Sequence, residues 1–184
     1  MFIQSKQTKP FAAAVAASLA LAFAGAANAA AVDYFLKLDG IKGESTDKDH
    51  KDEIQIESWS WGAAQTTQAS QGSSRAGKAC AQEIHFTKMV DKSSPLLAAG
   101  VMSGGIIPNA ILIGRKSGGD RPVEYLQYEM KNVLISSYSI AGSSSSLPMD
   151  SFSLNFANVT FEYRTQRADG SAGESIRVPF QGGC

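Results

Sequence analysis

From Val32 onward, apolar residues recur at every second position in short runs, and clusters of Gly, Ser, Asp or Pro cut the runs apart. Period two is the period of a strand, because successive side chains point to opposite faces. Val32, Tyr34, Leu36 and Leu38 share one face of a first strand, and Ile54, Ile56 and the pair Trp59 and Trp61 mark a second. Strand character returns at 80–88, 110–115, 123–130, 133–140, 151–156, 159–164 and 176–180, with Pro179 confining the last run to an edge or an end. Turns are expected at 117–120, at 142–146 and at Asp169 and Gly170. One helix interrupts the pattern. Ser93 or Ser94 can cap it, Pro95 suits its first position, Leu96, Leu97 and Val101 fall on one side, and Gly104 and Gly105 stop it. The expected fold is therefore all-β with one short α-helix: an antiparallel domain of eight or nine strands. Alternation by itself does not choose between a closed barrel and a sandwich.

Ahead of this domain, Lys6 and Lys9 precede an apolar stretch over 11–24, which ends in the small residues Ala27, Asn28 and Ala29. That is the layout of a secretory signal peptide. Cleavage after Ala29 would leave residues 30–184 as a single domain of about 155 residues, enough to bury one substantial core. The apolar stretch is short and mostly alanine, so stable membrane insertion is not expected. No twin arginine precedes it and no cysteine follows it to accept a lipid, which points to general export into the periplasm or the medium. Removing 1–29 leaves 15 basic against 17 acidic residues. A nearly neutral domain carries no electrostatic footprint for nucleic acid, and its scattered Lys and Arg do not suit an anionic membrane. Cys80 and Cys184 are the two cysteines. In an oxidising compartment they can pair within the chain, pair between subunits or stay free, and two cysteines alone make no zinc site.

No pattern in the chain matches a complete catalytic or cofactor site. Residues 72–79 (GSSRAGKA) have the glycine spacing and lysine of a phosphate loop. However, Ala79 replaces the magnesium-binding hydroxyl, and a strand rather than a helix is expected to follow. The acids Asp47, Asp49, Asp52 and Glu53 are interleaved with Lys48 and Lys51, and Lys51 and Asp52 occupy positions where a calcium loop needs a ligand and a glycine. His50 and His85 are the only histidines, no G-x-S-x-G elbow occurs, and the Ser143 to Ser146 run reads as a flexible turn. The expectation is a non-enzymatic protein without cofactor or metal. Two polar segments stand out instead. Residues 41–52 form a charged loop of about a dozen residues, a length that is often functional. Residues 62–78, rich in Gln, Ser, Thr and Gly, read as a long hairpin connection or a mobile loop. Trp59 and Trp61 suit either a buried sheet face or a subunit contact.

Taken in order, several stretches resemble the Hcp family of type VI secretion tube proteins: 34–45 (YFLKLDGIKGES), 47–62, 85–88 (HFTK) running into 91–96 (DKSSPL), 126–128, 133–136 and 153–156. The resemblance implies a β-barrel-like subunit with a flanking helix near 94–99, joined into a hexameric ring with an open pore. It further implies that rings stack into a tube carrying effector proteins, and that the 41–52 loop contacts a neighbouring subunit. On this reading the subunit-contact candidates are Lys42, Glu44, Asp47, Lys48, Asp49, His50, Lys51, Asp52, Trp59 and Trp61. The signal peptide adds a second expectation: an exported member that uses the barrel as a binding or effector module outside the contractile machine.

Overall fold

A computed structural model describes residues 32–70, 73–116 and 122–182, with 66–70 and 73–78 described by their backbone. The expected signal peptide, the expected turn at 117–120 and Cys184 lie outside the described residues. Ten strands and one helix follow in order: β1 (Val32–Leu38), β2 (Ile54–Ile56), β3 (Ser58–Ser60), β4 (Ala63–Ser70), β5 (Ser73–Ala81), β6 (Ile84–Met89), α1 (Ser94–Ser103), β7 (Ile106–Lys116), β8 (Val123–Ser143), β9 (Ser146–Gln166) and β10 (Ala172–Gln181). The main sheet runs β2, β1, β7, β8, β9, β6, β3, with β10 added to β9, and β4 and β5 form a separate two-stranded sheet. Its pairings are antiparallel. Only Glu57 separates β2 from β3, and its amide donates to the Thr87 carbonyl at 2.9 Å. One segment thus pairs with β1 through its first half and with β6 through its second, so the sheet closes on itself. This settles the fold as a barrel, in which the two ends of the sheet cover each other.

The long strands differ from expectation. The runs 123–130 and 133–140 are one 21-residue strand, β8, and 151–156 and 159–164 belong to one 21-residue strand, β9. Asn132, which reads as a break, takes φ +50° inside β8 while the ladder continues past it. The expected strand over 80–88 is cut at Gln82 and Glu83, where the Gln82 amide donates to the Gly62 carbonyl at 2.9 Å and the chain turns from β5 into β6. Segment 62–78 forms most of the β4–β5 hairpin. Residues 73–81 are strand, so the helix a phosphate loop requires does not follow Lys78.

The barrel interior is filled by Leu36, Ile54, Ile84, Phe86, Leu112, Met130, Val133, Ile135, Phe152, Leu154 and their neighbours. Helix α1 ends at Gly104, which takes φ +62° and donates its amide to Gly100. A Cβ at Gly100 would lie 2.6 Å from Ile135 Cδ1, so glycine lets the helix approach β8. Leu97 is fully buried there and Val101 packs beside the core, whereas Leu96 is 48% exposed and does not join the expected apolar face. The capping serines also act differently from expectation. Ser93 makes no side-chain cap bond. Ser94 Oγ instead accepts from the fully buried Lys88 Nζ at 2.9 Å and from the Asp91 amide at 3.0 Å, and donates to Asp150. Lys88 Nζ also lies 2.7 Å from Asp91 Oδ1 and 2.9 Å from Asp150 Oδ2, and Tyr138 donates to Asp150 at 3.2 Å. This knot fastens the start of the helix to β6 and β9.

Candidate assembly surfaces

The charged loop after β1 is shaped by its own charges. Gly43, Ser45 and Asp52 tie its two arms together through backbone bonds: Gly43 N to Asp52 O at 2.9 Å, Ser45 N to Glu53 O at 3.1 Å and Asp52 N to Ser45 O at 2.9 Å. Gly43 is required because a Cβ there would meet the Glu53 carbonyl at 2.4 Å. Asp47 receives Arg115 of β7 through both oxygens, at 2.9 and 2.6 Å. The hydrogen bond from that guanidinium holds the Asp47 carboxyl well below the usual carboxylate range, and the carboxylate in turn raises Arg115. The clasp matters because Phe35 faces outward from β1. His50 stacks on its ring at 4.3 Å and Arg115 lies over it at 4.9 Å, so the loop buries a phenyl ring worth about 1.5–3 kcal/mol when fully covered.

Among the subunit-contact candidates, the structure brings Lys42 to Asp52 at 3.4 Å, and Lys92 to Asp52 at 3.5 Å, with the Lys92 charge the main cause that lowers Asp52. Glu44 accepts the Lys92 amide at 3.1 Å. Lys48, Asp49 and Lys51 are exposed, and among the described residues no ion pair is formed by them. Trp59 and Trp61 sit apart from the loop, packed partly buried against the core. Their rings meet Tyr128 at 5.2 and 5.5 Å, Trp59 meets Tyr34 at 5.9 Å, and Trp61 meets Phe180 of β10 at 5.8 Å. Burial pushes the Tyr128 phenol up to about 12, so this cluster stays neutral.

A surface the sequence does not reveal lies across β3, β6, β9 and β8. Register places Ser60 beside His85, His85 beside Ser153 and Ser153 beside Ser137. The next row joins Ser58, Thr87, Ser151 and Ser139 in the same way. Seven of these eight side chains are hydroxyls and none is a carboxylate, ammonium or guanidinium. His85 Nδ1 lies 2.7 Å from Ser153 Oγ, Ser137 donates to Ser153 at 2.8 Å, and Ser58 bonds Thr87. A shallow groove of about 330 Å³ runs over all of them but Ser139, and Trp59, Phe86 and Phe152 also line it. Each strand carries only two such residues at i and i+2, an ordinary solvent-facing pattern, so the continuous face appears only once register aligns the pairs.

Two further features bear on assembly. The β4–β5 hairpin stands outside the main sheet, and a two-stranded sheet by itself is marginal in water. Cys80 at its base is disulfide-bonded. Among the described residues no cluster of His, Cys, Asp or Glu could hold a metal ion, and no helix is long and apolar enough to cross a membrane.

Comparison with known proteins extends these observations. Residues 35–163 match the family model described as type VI secretion system effector, Hcp. The protein Hcp1 of Pseudomonas aeruginosa is 44% identical over 143 residues, covering 77% of this chain and 88% of that protein. Among solved structures, Hcp1 of Salmonella typhimurium superposes with a TM-score of 0.66 at 34% identity, over 82% of this chain and 94% of that one. A structure of a type six secretion system protein gives 0.75 at 31% identity, over 81% and 93%.

Proposed function

The chain belongs to the Hcp family of type VI secretion tube proteins, and from that premise we propose that it forms a hexameric ring whose pore is lined by the hydroxyl face of β3, β6, β9 and β8. The observation that carries the pore assignment is the pair of register-aligned, uncharged rows. A lumen that passes folded cargo needs a wetted wall without fixed charge, because charged side chains would hold oppositely charged cargo and repel the rest. The exposed serines of the face, all but the buried Ser153, stay hydrated and exchange their hydrogen bonds with water. Effector proteins are the proposed cargo.

Neighbour contacts fall to the loop and the hairpin. Within the 41–53 loop, Asp47, His50, Asp52, Lys42 and Glu44 hold the shape, which leaves Lys48, Asp49 and Lys51 to meet a partner from a preorganised frame. The aromatic side chains of Trp59 and Trp61 support the sheet that bears the pore face. Open strand edges on the β4–β5 hairpin suit pairing with a second copy, and head-to-tail contact of this kind closes into a ring. Light scattering of the mature domain at micromolar concentration tests the ring: a mass of six subunits at both low and high salt is expected, and a strict monomer at both refutes it. Ser60→Trp tests the pore, with ring mass unchanged and co-purifying cargo lost.

No catalytic step belongs to this function. Ser153 and His85 touch, yet Ser153 is buried and, among the described residues, no carboxylate bonds His85. No turnover of esters, peptides or nucleotides above background is expected, and a turnover that His85→Ala abolishes without unfolding would overturn this. The disulfide at Cys80 favours a second reading, in which residues 1–29 direct export and residues 30–184 act outside the contractile machine as a binding or effector module. N-terminal sequencing of protein recovered outside the cytoplasm is expected to start at or near Ala30, and an intact Met1 refutes that reading.

A further inference from the structure

We infer that Cys80 is joined to Cys184 and that this bond is a redox-operated staple, which holds the β4–β5 hairpin in one direction against the barrel. Cys80 is disulfide-bonded, and the sequence has one other cysteine, Cys184. The end of β10 comes to the foot of β5: Gly182 forms a parallel bridge with Ala81, the residue after Cys80, and its amide donates to the Ala157 carbonyl at 2.8 Å. Glycine permits this approach, because a Cβ at 182 would run into the Phe156 carbonyl. Bonded cysteines need Cα atoms about 4.4–6.8 Å apart, and two residues of chain reach about 7 Å, so Cys184 is within range of Cys80 from that bridge.

The hairpin has few other means to keep its direction. Its ladder is a separate sheet of two strands, eight and nine residues long, and such a sheet is marginal in water. At its foot the Gln82 amide donates to the Gly62 carbonyl at 2.9 Å, Trp61 Nε1 donates to the Gln82 carbonyl at 3.0 Å, and the Trp61 ring meets Phe180 of β10 at 5.8 Å. These contacts hold the foot; a covalent bond beside it fixes the arm. Cys80 is part-exposed, so a small thiol or disulfide can reach it, and exposed disulfides are the labile ones. Closure is thiol–disulfide exchange. The two thiols lose two protons and two electrons and gain one S–S bond, while a donor disulfide takes them up and leaves as two thiols. An excess of reducing thiol runs the exchange backwards, so the hairpin is fixed in an oxidising compartment and released in a reducing one. The staple stands on the cysteine pair and the bridge. Its consequence, that the strand edges of the hairpin are held ready for a neighbour only after oxidation, rests on the ring reading.

Tryptic mapping of protein purified without reductant tests the pairing. Peptides 79–88 and 178–184 are expected as one disulfide-linked species; two alkylated cysteines, or a link between two copies through Cys80, overturn it. Amide hydrogen exchange with and without dithiothreitol, and in Cys184→Ser, then tests the staple. Protection over 63–81 is expected to fall about tenfold or more on reduction. Cys184→Ser should show the same fall without reductant and no further change with it. Continued protection of β7 and β8 shows that the barrel remains folded. If Cys184→Ser does not fold, reduction of the wild type decides, since its sequence is unaltered. Unchanged protection over 63–81 in the reduced wild type overturns the staple. Light scattering on the same samples keeps the two ideas apart: a ring that is lost on reduction is expected, and an equal ring in both states overturns the consequence for assembly. A monomer in both states ends the ring reading while exchange still judges the staple.

Discussion

Two charged regions of this subunit use the same kinds of side chain to opposite ends. At the start of α1, Lys88 and Asp150 are wholly out of solvent and are joined by Asp91, Ser94 and Tyr138. In the 41–53 loop, Lys42 and Asp52 meet at 3.4 Å with 75% and 40% of their side chains exposed. The buried knot has lost its hydration and depends on every partner, whereas water can replace the exposed pair. Asp47 and Arg115 lie between these extremes, with 22% and 11% exposed. The difference teaches that charge along a sequence does not rank its importance; desolvation does.

The comparison breaks most easily at the knot. Asp150→Ala would leave Lys88 buried with half its counter-charge gone, and a loss of about 3–5 kcal/mol is expected in urea unfolding. Replacing Lys88 and Asp150 together by Met and Leu should cost less than the two single losses added, because neither partner is then left buried without the other, while Asp91, 13% exposed, keeps its bonds from Ser93. Strict additivity in that cycle would mean that packing, not charge, holds the helix.

A covalent fastening gives a second scale. Cys80→Ser is expected to cost about 2–4 kcal/mol, as removal of a disulfide typically does, and reductant should lower the wild-type midpoint to the variant's without changing the variant. No response to reductant would place the Cys80 bond outside the stability of the barrel.

Arg115→Ala is expected to cost about 1.5–3 kcal/mol, since it removes charge-assisted bonds to Asp47 and uncovers Phe35. Its pH dependence has a definite sign. The folded Asp47 carboxyl is depressed, so its contribution is present above the unfolded value near 4 and fades only as pH falls toward the folded value. The stability difference between wild type and Asp47→Asn should thus hold from pH 7 to about 4 and shrink below that. A difference that vanished between pH 7 and 5 would contradict the clasp. The smallest effect is expected at Lys42→Ala, under about 0.5 kcal/mol in thermal unfolding and shrinking further as salt screens the exposed pair.

Much of this architecture was legible locally. Pro95 and Gly104 bracket the helix within a residue or two, and alternation placed β1 and the end of β10 closely, but for β7 it found 110–115 and missed the first four residues. The breaks read at 131–132 and 157–158 were misleading, because Lys131 pairs with Asn158, and Asn158 in turn with Gln181 of β10, so ladder bonds from neighbouring strands carry the backbone through polar residues that look like turns. The hydroxyl face was illegible for a related reason: it is assembled from four pairs of residues that lie up to about 95 positions apart, from Ser58 to Ser153.

By itself the sequence determined the all-β class, the single helix, the charged loop and its family, since each depends on residues near one another in the chain or on their order. The tertiary structure alone decided that the sheet closes through Glu57, that Lys88 rather than Lys42 carries weight, and that His50 stands between Glu53 and Glu124. Register, closure and desolvation are set by pairings between distant strands, and side-chain alternation, which repeats every two residues, holds no record of which strand lies beside which.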